Sequence, residues 1–237
     1  MRPPSFPRQA TARLSEHLSG MKSLPLLALV LALAVPVAVR ADQSATFHGT
    51  TTDAENASVS QLSSYLMSRY PTAASAEHAG YFRYTTEDET GAISYANFQW
   101  YSRDLQHPSQ LWYDKDGKLL GADYSVPLSV SATRPQLWGI NPGRWVEFDG
   151  HIHWVAKDPA TGALIYNDNE WAWDKAFTAA GGDPNQPTAV TLVAMKKVAS
   201  TSEVVKVFHF PAIWDLIVWV KPNPNGAFAW KNPNVTP

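Results

Sequence analysis

The chain has 237 residues and no cysteine, which excludes disulfides, thiolate metal sites and cysteine nucleophiles. Its 19 basic and 21 acidic residues give a formal net charge of −2, so we expect no nucleic-acid partner. Stability has to come from packing, for which 10 Trp, 9 Tyr and 9 Phe supply large apolar side chains.

Residues 1–41 are typical of a secretory signal peptide. Lys22 precedes an apolar run over residues 24–39, which is shorter than the roughly 20 residues that a membrane-spanning helix needs. Residues 39–41, Val-Arg-Ala, place small side chains where a signal peptidase reads them. We therefore predict cleavage after Ala41 and a secreted or periplasmic mature protein with no stable membrane anchor.

The remaining residues, 42–237, have the length of one globular domain. They carry 14 basic and 20 acidic residues, a net charge of −6, which also disfavours an anionic membrane surface as a partner. We take Met21 as the true start, because residues 1–20 add only a long charged segment ahead of the apolar run. The oligomeric state is left open.

The first half of this domain reads as one helix followed by strands. Asp53 can cap a helix, and apolar residues near helical spacing predict a helix over 54–69 that Pro71 ends. Segments rich in β-branched and aromatic residues, separated by turn residues, then predict an antiparallel meander. These strands are predicted at 81–85, 93–100, 110–113 and 119–126.

The segment 144–167 predicts a hairpin at the centre of the chain. Residues 144–148 and 151–156 are predicted as extended, and residues 163–166 as the returning strand. Asp158 and Gly162 between the last two segments carry the turn chemistry of a hairpin.

Two short helices and two strands are predicted for the rest of the domain. The helices span 170–180 and 187–199, although the first part of the second segment also suits a strand. Residues 204–210 and 213–220 are dense in β-branched and aromatic side chains and predict two strands or one bent strand.

The tail, residues 221–237, is rich in Pro and Asn and predicts neither helix nor sheet. Phe228 and Trp230 are apolar anchors, so we expect an ordered irregular arm that packs on the domain. The predicted fold class is therefore α+β, a single domain with an antiparallel β-sheet, a few flanking helices and an irregular C-terminal arm.

Two segments of the chain carry a resemblance to other proteins. They are HFPAIWDLIVWVKPNPNGAFAWKNPNV at 209–235 and HPSQLWYDKDGKLLGADYSVP at 107–127. With both present, the chain resembles a family of exported bacterial proteins of unassigned function that share the WDLIVWVKPNPNGAFA-type C-terminal segment. The resemblance implies an exported protein and carries over no catalytic residue.

Three histidines form the candidate metal site. On an extended strand His151 and His153 project from the same face, so two imidazoles could share a divalent transition metal. We predict His209 as the third ligand, because it borders an apolar strand expected in the same sheet. Further candidates for that third ligand are His107, His78 and Asp149.

A simpler interpretation keeps the histidine pair without a metal. His151 and His153 would then lie on the polar face of an exposed hairpin, solvated or paired with Glu147 and Asp149.

The second candidate site is an aromatic and polar surface. Trp171 and Trp173 stand beside Asn167 and Asn169, a combination that suits stacking and hydrogen bonding to a glycan or another small polar ligand. The alternative is that both tryptophans are core residues.

Sequence motifs select no reaction class. The chain has no G-x-S-x-G motif, no phosphate loop and no dinucleotide fingerprint. We therefore predict a non-catalytic binding or interaction module, with a His-ligated metalloprotein or metal-dependent enzyme as the alternative.

Overall fold

The computed structural model describes residues 50–88, 90–97, 101, 104–166 and 171–237. These residues belong to one compact unit, Arg40–Pro237. The predicted signal peptide and the end of the predicted 93–100 strand lie outside the described residues.

The described part of the chain is a single α+β domain, as the sequence predicted. Its strands form two antiparallel sheets instead of the one sheet expected, and it has four helices. Its helices are α1 (Asp53–Arg69), α2 (Ala73–His78), α3 (Asp174–Ala179) and α4 (Ala189–Ala194). Its strands are β1 (Phe82–Glu87), β2 (Ile93–Ala96), β3 (Gln110–Tyr113), β4 (Leu119–Pro127), β5 (Val146–Phe148), β6 (His151–Lys157), β7 (Leu164–Tyr166), β8 (Ala172–Trp173), β9 (Val204–Phe210) and β10 (Ile213–Trp219).

The larger sheet has six strands in the order β1-β2-β3-β4-β10-β5. Its first four strands form the predicted meander. The β3–β4 hairpin closes at Gly117, whose φ of 74° is in the left-handed region that favours glycine. Strand β10, the last strand along the chain, lies between β4 and β5 and pairs with both.

The smaller sheet has four strands around β6. Strand β6 pairs with β7 and β8 along one edge and with β9 along the other. The predicted hairpin of 151–156 and 163–166 is the β6–β7 pair. Residues 146–148 of the same predicted segment, however, belong to the larger sheet, so the chain crosses between sheets at Asp149 and Gly150.

Each sheet carries helices on its outer face. Leu62 and Leu66 of α1 are buried in the same core as Leu111 and Tyr113 of the larger sheet. A second core forms behind the smaller sheet, where side chains of β6 pack with those of α3 and α4. It consists of Ile152, Trp154, Ala156, Ala172, Phe177 and Leu192.

The inner faces of the two sheets meet through aromatic rings. Phe82 of β1 lies edge-on to Phe208 of β9, with ring centroids 5.4 Å apart. Tyr84 of β1 lies 5.6 Å from Phe210 of β9. The described residues therefore stack as helix, sheet, sheet and helix.

The two C-terminal helices are shorter than predicted. Helix α3 begins only at Asp174, because Trp173 is a strand residue that pairs with His151. Helix α4 ends at Ala194, and Lys196 takes a left-handed φ of 59° that a helix cannot continue.

The C-terminal arm packs on the domain as predicted. Phe228 is buried, and the guanidinium of Arg144 lies 5.1 Å from the centre of its ring. The indole of Trp219 donates a hydrogen bond of 2.6 Å to the backbone oxygen of Ala229. None of the helices in the described ranges has both the length and the hydropathy to cross a membrane.

Candidate functional site

A cavity of about 130 Å³ lies between the inner faces of the two sheets. A space of this size holds several water molecules or a small ligand. Its aromatic lining consists of Tyr84, Trp112, Phe148, Trp171, Phe210 and Trp230. The polar groups that converge on it include Gln110, Asp123, His151, His153 and Asp215.

The larger sheet supplies a row of polar side chains to the cavity. Asp123 of β4 is paired with Gln110 of β3, and Ser125 of β4 with Asp215 of β10. Paired residues of antiparallel strands share a face, and residues two apart share it too. Asp123 and Asp215 are therefore diagonal neighbours, with Cα atoms about 7–8 Å apart and carboxyls within reach of each other.

Asp123 is the most deeply buried acid of this row, at 5% exposure. Its Oδ2 accepts a hydrogen bond of 3.0 Å from the indole of Trp112, whereas its Oδ1 has no partner within the described part of the chain. Burial raises the pKa of Asp123 well above its usual range, and the nearby carboxyl of Asp215 raises it further. The Asp123 carboxyl is consequently a weaker acid than an exposed aspartate.

Asp215 is half-buried and receives a hydrogen bond of 3.1 Å from the Ser125 hydroxyl. Burial raises the pKa of Asp215 to about 7, although the Ser125 hydrogen bond acts in the opposite direction. This carboxyl can therefore gain or lose a proton near neutral pH.

Tyr84 connects the two walls of the cavity. Its hydroxyl donates a hydrogen bond to Oε1 of Gln110 on the larger sheet. Its ring lies 5.1 Å from the imidazole of His153 on the smaller sheet. Burial raises the pKa of Tyr84 well above its usual value, so the hydroxyl stays neutral.

The smaller sheet supplies the predicted histidine pair. Nε2 of His151 and Nε2 of His153 are 3.0 Å apart, on the shared face that the strand period predicted. Both residues are buried, at 4% and 2% exposure, so the interpretation as an exposed polar face is wrong. Phe210 stacks on the imidazole of His151, and Phe208 stacks on that of His153.

The hydrogen bonds of the pair fix the position of its protons. Nδ1 of His151 is 2.8 Å from the backbone oxygen of Asp149, which only accepts, so this Nδ1 carries a proton. In neutral His151 Nε2 is then an acceptor, and His153 donates to it. Burial lowers the pKa of His151 to about 4. The hydrogen bond to the Asp149 backbone opposes this decrease, whereas the nearby His209 lowers the pKa further. His151 is thus neutral at pH 7.

The structure does not bring His209 to this pair. His209 is paired with Ile152, so its side chain lies on the opposite face of the smaller sheet from His151 and His153. There its Nε2 is 2.9 Å from Oδ2 of Asp174. Phe208 and Phe210, the two neighbours of His209, lie opposite His153 and His151 in the β6–β9 ladder.

No group of three His, Asp or Glu in the described residues could hold a metal. Of the other proposed third ligands, His107 pairs with Asp104 at 2.8 Å, and Asp149 offers His151 its backbone oxygen.

The two tryptophans of the second candidate site occupy different positions. Trp171 lines the cavity, and its ring lies 5.0 Å from the His151 ring. Trp173 is 41% exposed and is not part of the cavity lining. Asn167 and Asn169 lie outside the described residues.

Sequence reasoning missed the polar row of the larger sheet. Its signal was a charged residue inside an apolar strand, Asp123 in LLGADYSVP and Asp215 in IWDLIVW. Charged side chains are rarely buried unless they are paired or functional, so these two positions stand out.

Comparison of the chain with protein-family models, with curated proteins and with solved structures found no match. Fold and site together define an α+β protein of two facing sheets with an aromatic and acidic cavity between them.

Proposed function

We propose that this protein is a binding module that holds a small polar ligand in the cavity between its two sheets. The observation that carries the proposal is the buried Asp123 carboxyl, whose Oδ1 has no hydrogen-bond partner in the described residues although it lies in the cavity wall. Such an unpaired buried acceptor costs stability, and a ligand that donates a hydrogen bond removes that cost.

The other walls suit the same kind of ligand. Trp112 and Trp171 contribute aromatic rings to the lining, while Gln110 and Asp215 contribute hydrogen-bonding groups. A mainly apolar lining with a few convergent polar groups is the usual composition of a small-molecule site. The volume favours a single small molecule over a glycan chain.

The test is a titration with monosaccharides, small amides and small ammonium ions, followed by tryptophan fluorescence and ligand-observed NMR. Trp171→Ala removes a wall of the cavity, whereas Trp173→Ala removes a neighbouring ring that does not line it. We expect the first variant to weaken binding by about tenfold and the second by less than about threefold.

Two outcomes would count against the proposal. Binding lost in Trp173→Ala but kept in Trp171→Ala would move the site to the exposed surface predicted from the sequence. A panel in which no compound binds the unmodified protein would refute the cavity as a ligand site.

The alternative function is a His-ligated metalloprotein. It is favoured by the Nε2 atoms of His151 and His153, which at 3.0 Å could both reach a metal through bonds of about 2 Å. The Asp149 carbonyl, which orients His151 through Nδ1, is a typical support for a metal ligand. Elemental analysis of protein without a His tag decides this: about one metal per chain, lost in His153→Gln, would establish a metal centre.

We also propose that the protein is exported, on the basis of the apolar run at 24–39 and the resemblance to exported bacterial proteins. The mass of protein recovered outside the cytoplasm should correspond to a chain that begins at Asp42. A mass that includes residues 24–39 would contradict cleavage.

A further inference from the structure

The charged groups that line the cavity are all acids. Asp88, Asp123 and Asp215 belong to the lining, and no Lys or Arg of the described residues does. Asp88 is engaged in its own turn, where Oδ1 accepts hydrogen bonds from the backbone N–H groups of Thr90 and Ala92. The carboxyls that remain for a ligand are those of Asp123 and Asp215.

Among the described residues that line the cavity, no positively charged side chain balances the carboxyls of Asp123 and Asp215. Asp123 receives one neutral donor, the Trp112 indole, and Asp215 receives another, the Ser125 hydroxyl. His151 on the smaller sheet does not contribute charge either, since burial keeps its imidazole neutral at pH 7. A ligand that is both positively charged and a hydrogen-bond donor supplies what the wall lacks.

The aromatic lining suits the same ligand. The faces of Trp112, Trp171 and Tyr84 carry negative electrostatic potential and attract a cation that enters without its water shell. A metal ion would need three or more fixed ligand atoms, and no group of three His, Asp or Glu in the described residues offers them. An organic cation needs only one or two acceptors and the surrounding rings.

We propose that the ligand of this cavity is a small organic cation, an ammonium or amidinium ion, whose N–H groups bind the Asp123 and Asp215 carboxyls beneath the aromatic rings. This inference rests on the proposed binding function and specifies its ligand class.

A cation that binds the protonated form of Asp123 displaces its proton. The O–H bond of the Asp123 carboxyl breaks, the proton passes to solvent, and the carboxylate that remains accepts hydrogen bonds from the cation. The other titratable groups that face the cavity are Tyr84 on β1, Asp88 in the β1–β2 turn, His151 and His153 on β6, and Asp215 on β10. Because one proton leaves for each cation bound, affinity should rise by about tenfold per pH unit over the range in which the Asp123 carboxyl of the free protein is protonated.

The experiment compares acetamidinium with acetamide, which have nearly the same shape and differ in charge, by isothermal titration calorimetry. Ethylammonium and ethanol form a second pair. We expect each cation to bind at least about tenfold more tightly than its neutral counterpart. Titration in two buffers of different ionisation enthalpy should show proton release.

Variants localise the effect. Asp123→Asn and Asp215→Asn should each weaken acetamidinium binding by about tenfold and leave acetamide binding within about threefold. Asp174→Asn is the matched control, because this carboxyl pairs with His209 on the other face of the smaller sheet. Circular dichroism checks that each variant is folded. If one of the two aspartate variants does not fold, the other variant provides the test.

The outcomes separate the two proposals. Tighter binding of the neutral compounds, or cation binding that both aspartate variants retain, would overturn the cationic ligand class while the binding module stands. Absence of binding by every cation and every neutral compound would overturn both.

Discussion

Burial raises the pKa of Asp215 to about 7 and lowers that of His151 to about 4, so the two groups change stability with pH in opposite directions. Between about pH 4 and pH 7 folded Asp215 keeps a proton that the unfolded chain has lost, and its contribution to stability falls as pH rises. Between about pH 4 and pH 6.5 the unfolded chain protonates His151 while the folded chain does not. The contribution of His151 therefore rises with pH.

Asp215→Asn should stabilise the protein at alkaline pH only. At about pH 8 the variant no longer holds a partly buried carboxylate, so its free energy of unfolding should exceed that of the wild type by on the order of 1–2 kcal/mol. At about pH 4 both side chains are neutral and the difference should be small. Urea unfolding at both pH values measures this. An equal loss of stability at both would show that the Ser125 hydrogen bond dominates.

His151→Phe should reduce the loss of stability on acidification. The wild type must accept a proton on a buried imidazole or unfold, and the variant has no such group. We expect the decrease in unfolding free energy between about pH 6.5 and pH 4 to be smaller by about 2 kcal/mol in the variant. Asp215 titrates in both proteins, so its contribution cancels in the comparison. Parallel pH profiles would contradict the depressed pKa.

The sequence predicted the elements well where local pattern decides them. Strands 110–113 and 204–210 have the predicted bounds, and the helix predicted at 54–69 begins one residue earlier, at Asp53. Alternation also placed His151 and His153 on one face. The segment 170–180 was overpredicted as helix because Trp173 pairs with a strand distant in sequence, and pairing of that kind leaves no local pattern.

Helix α1 is tied to the turn before β5 by a buried ion pair. Glu55 and Arg144 are both buried, with Arg144 Nε 3.1 Å from Glu55 Oε1. Burial alone would raise the pKa of Glu55, but hydrogen bonds from Arg144 and from the backbone N–H groups of Thr52 and Asn141 hold it below its usual value. The carboxylate is therefore charged and compensated.

Glu55→Ala should destabilise the protein by about 3–5 kcal/mol, because it leaves the Arg144 guanidinium buried without its partner. Urea unfolding at neutral pH measures the loss. The matched control is Asp53→Ala in the same helical turn, where the side chain is exposed and the cost should be below about 1 kcal/mol. Equal losses in the two variants would show that Glu55 acts through the helix dipole instead of through Arg144.

Pairing between strands distant in sequence decided the parts of the fold that the sequence could not predict. Strand β10 enters the larger sheet between β4 and β5, and this position makes Asp215 a diagonal neighbour of Asp123. Neither aspartate is near the other in sequence, so only the assembled sheet shows the acid pair. The same holds for His209, whose face depends on the register of β9 against β6.

The C-terminal arm is the last segment added to the larger core. Phe228 is fully buried with the sheet residues of that core, and the side-chain amide of Asn232 donates to the backbone oxygens of Lys221 and Pro222. The arm also satisfies the Trp219 indole through the backbone oxygen of Ala229. The arm thus makes both apolar and polar contacts with the domain and is an integral part of the fold.

Phe228→Ala should cost about 3–5 kcal/mol, since a buried ring is replaced by a cavity beside the Arg144 guanidinium. In a domain of this size such a loss lowers the melting temperature by roughly 10 °C or more. Lys231→Ala, an exposed position three residues further along the same arm, should leave the melting temperature nearly unchanged. Differential scanning calorimetry of both variants measures the two effects. If Phe228→Ala has the same melting temperature as the wild type, the arm does not contribute to the core. Packing of Phe228 then does not position Trp230, which lines the ligand cavity.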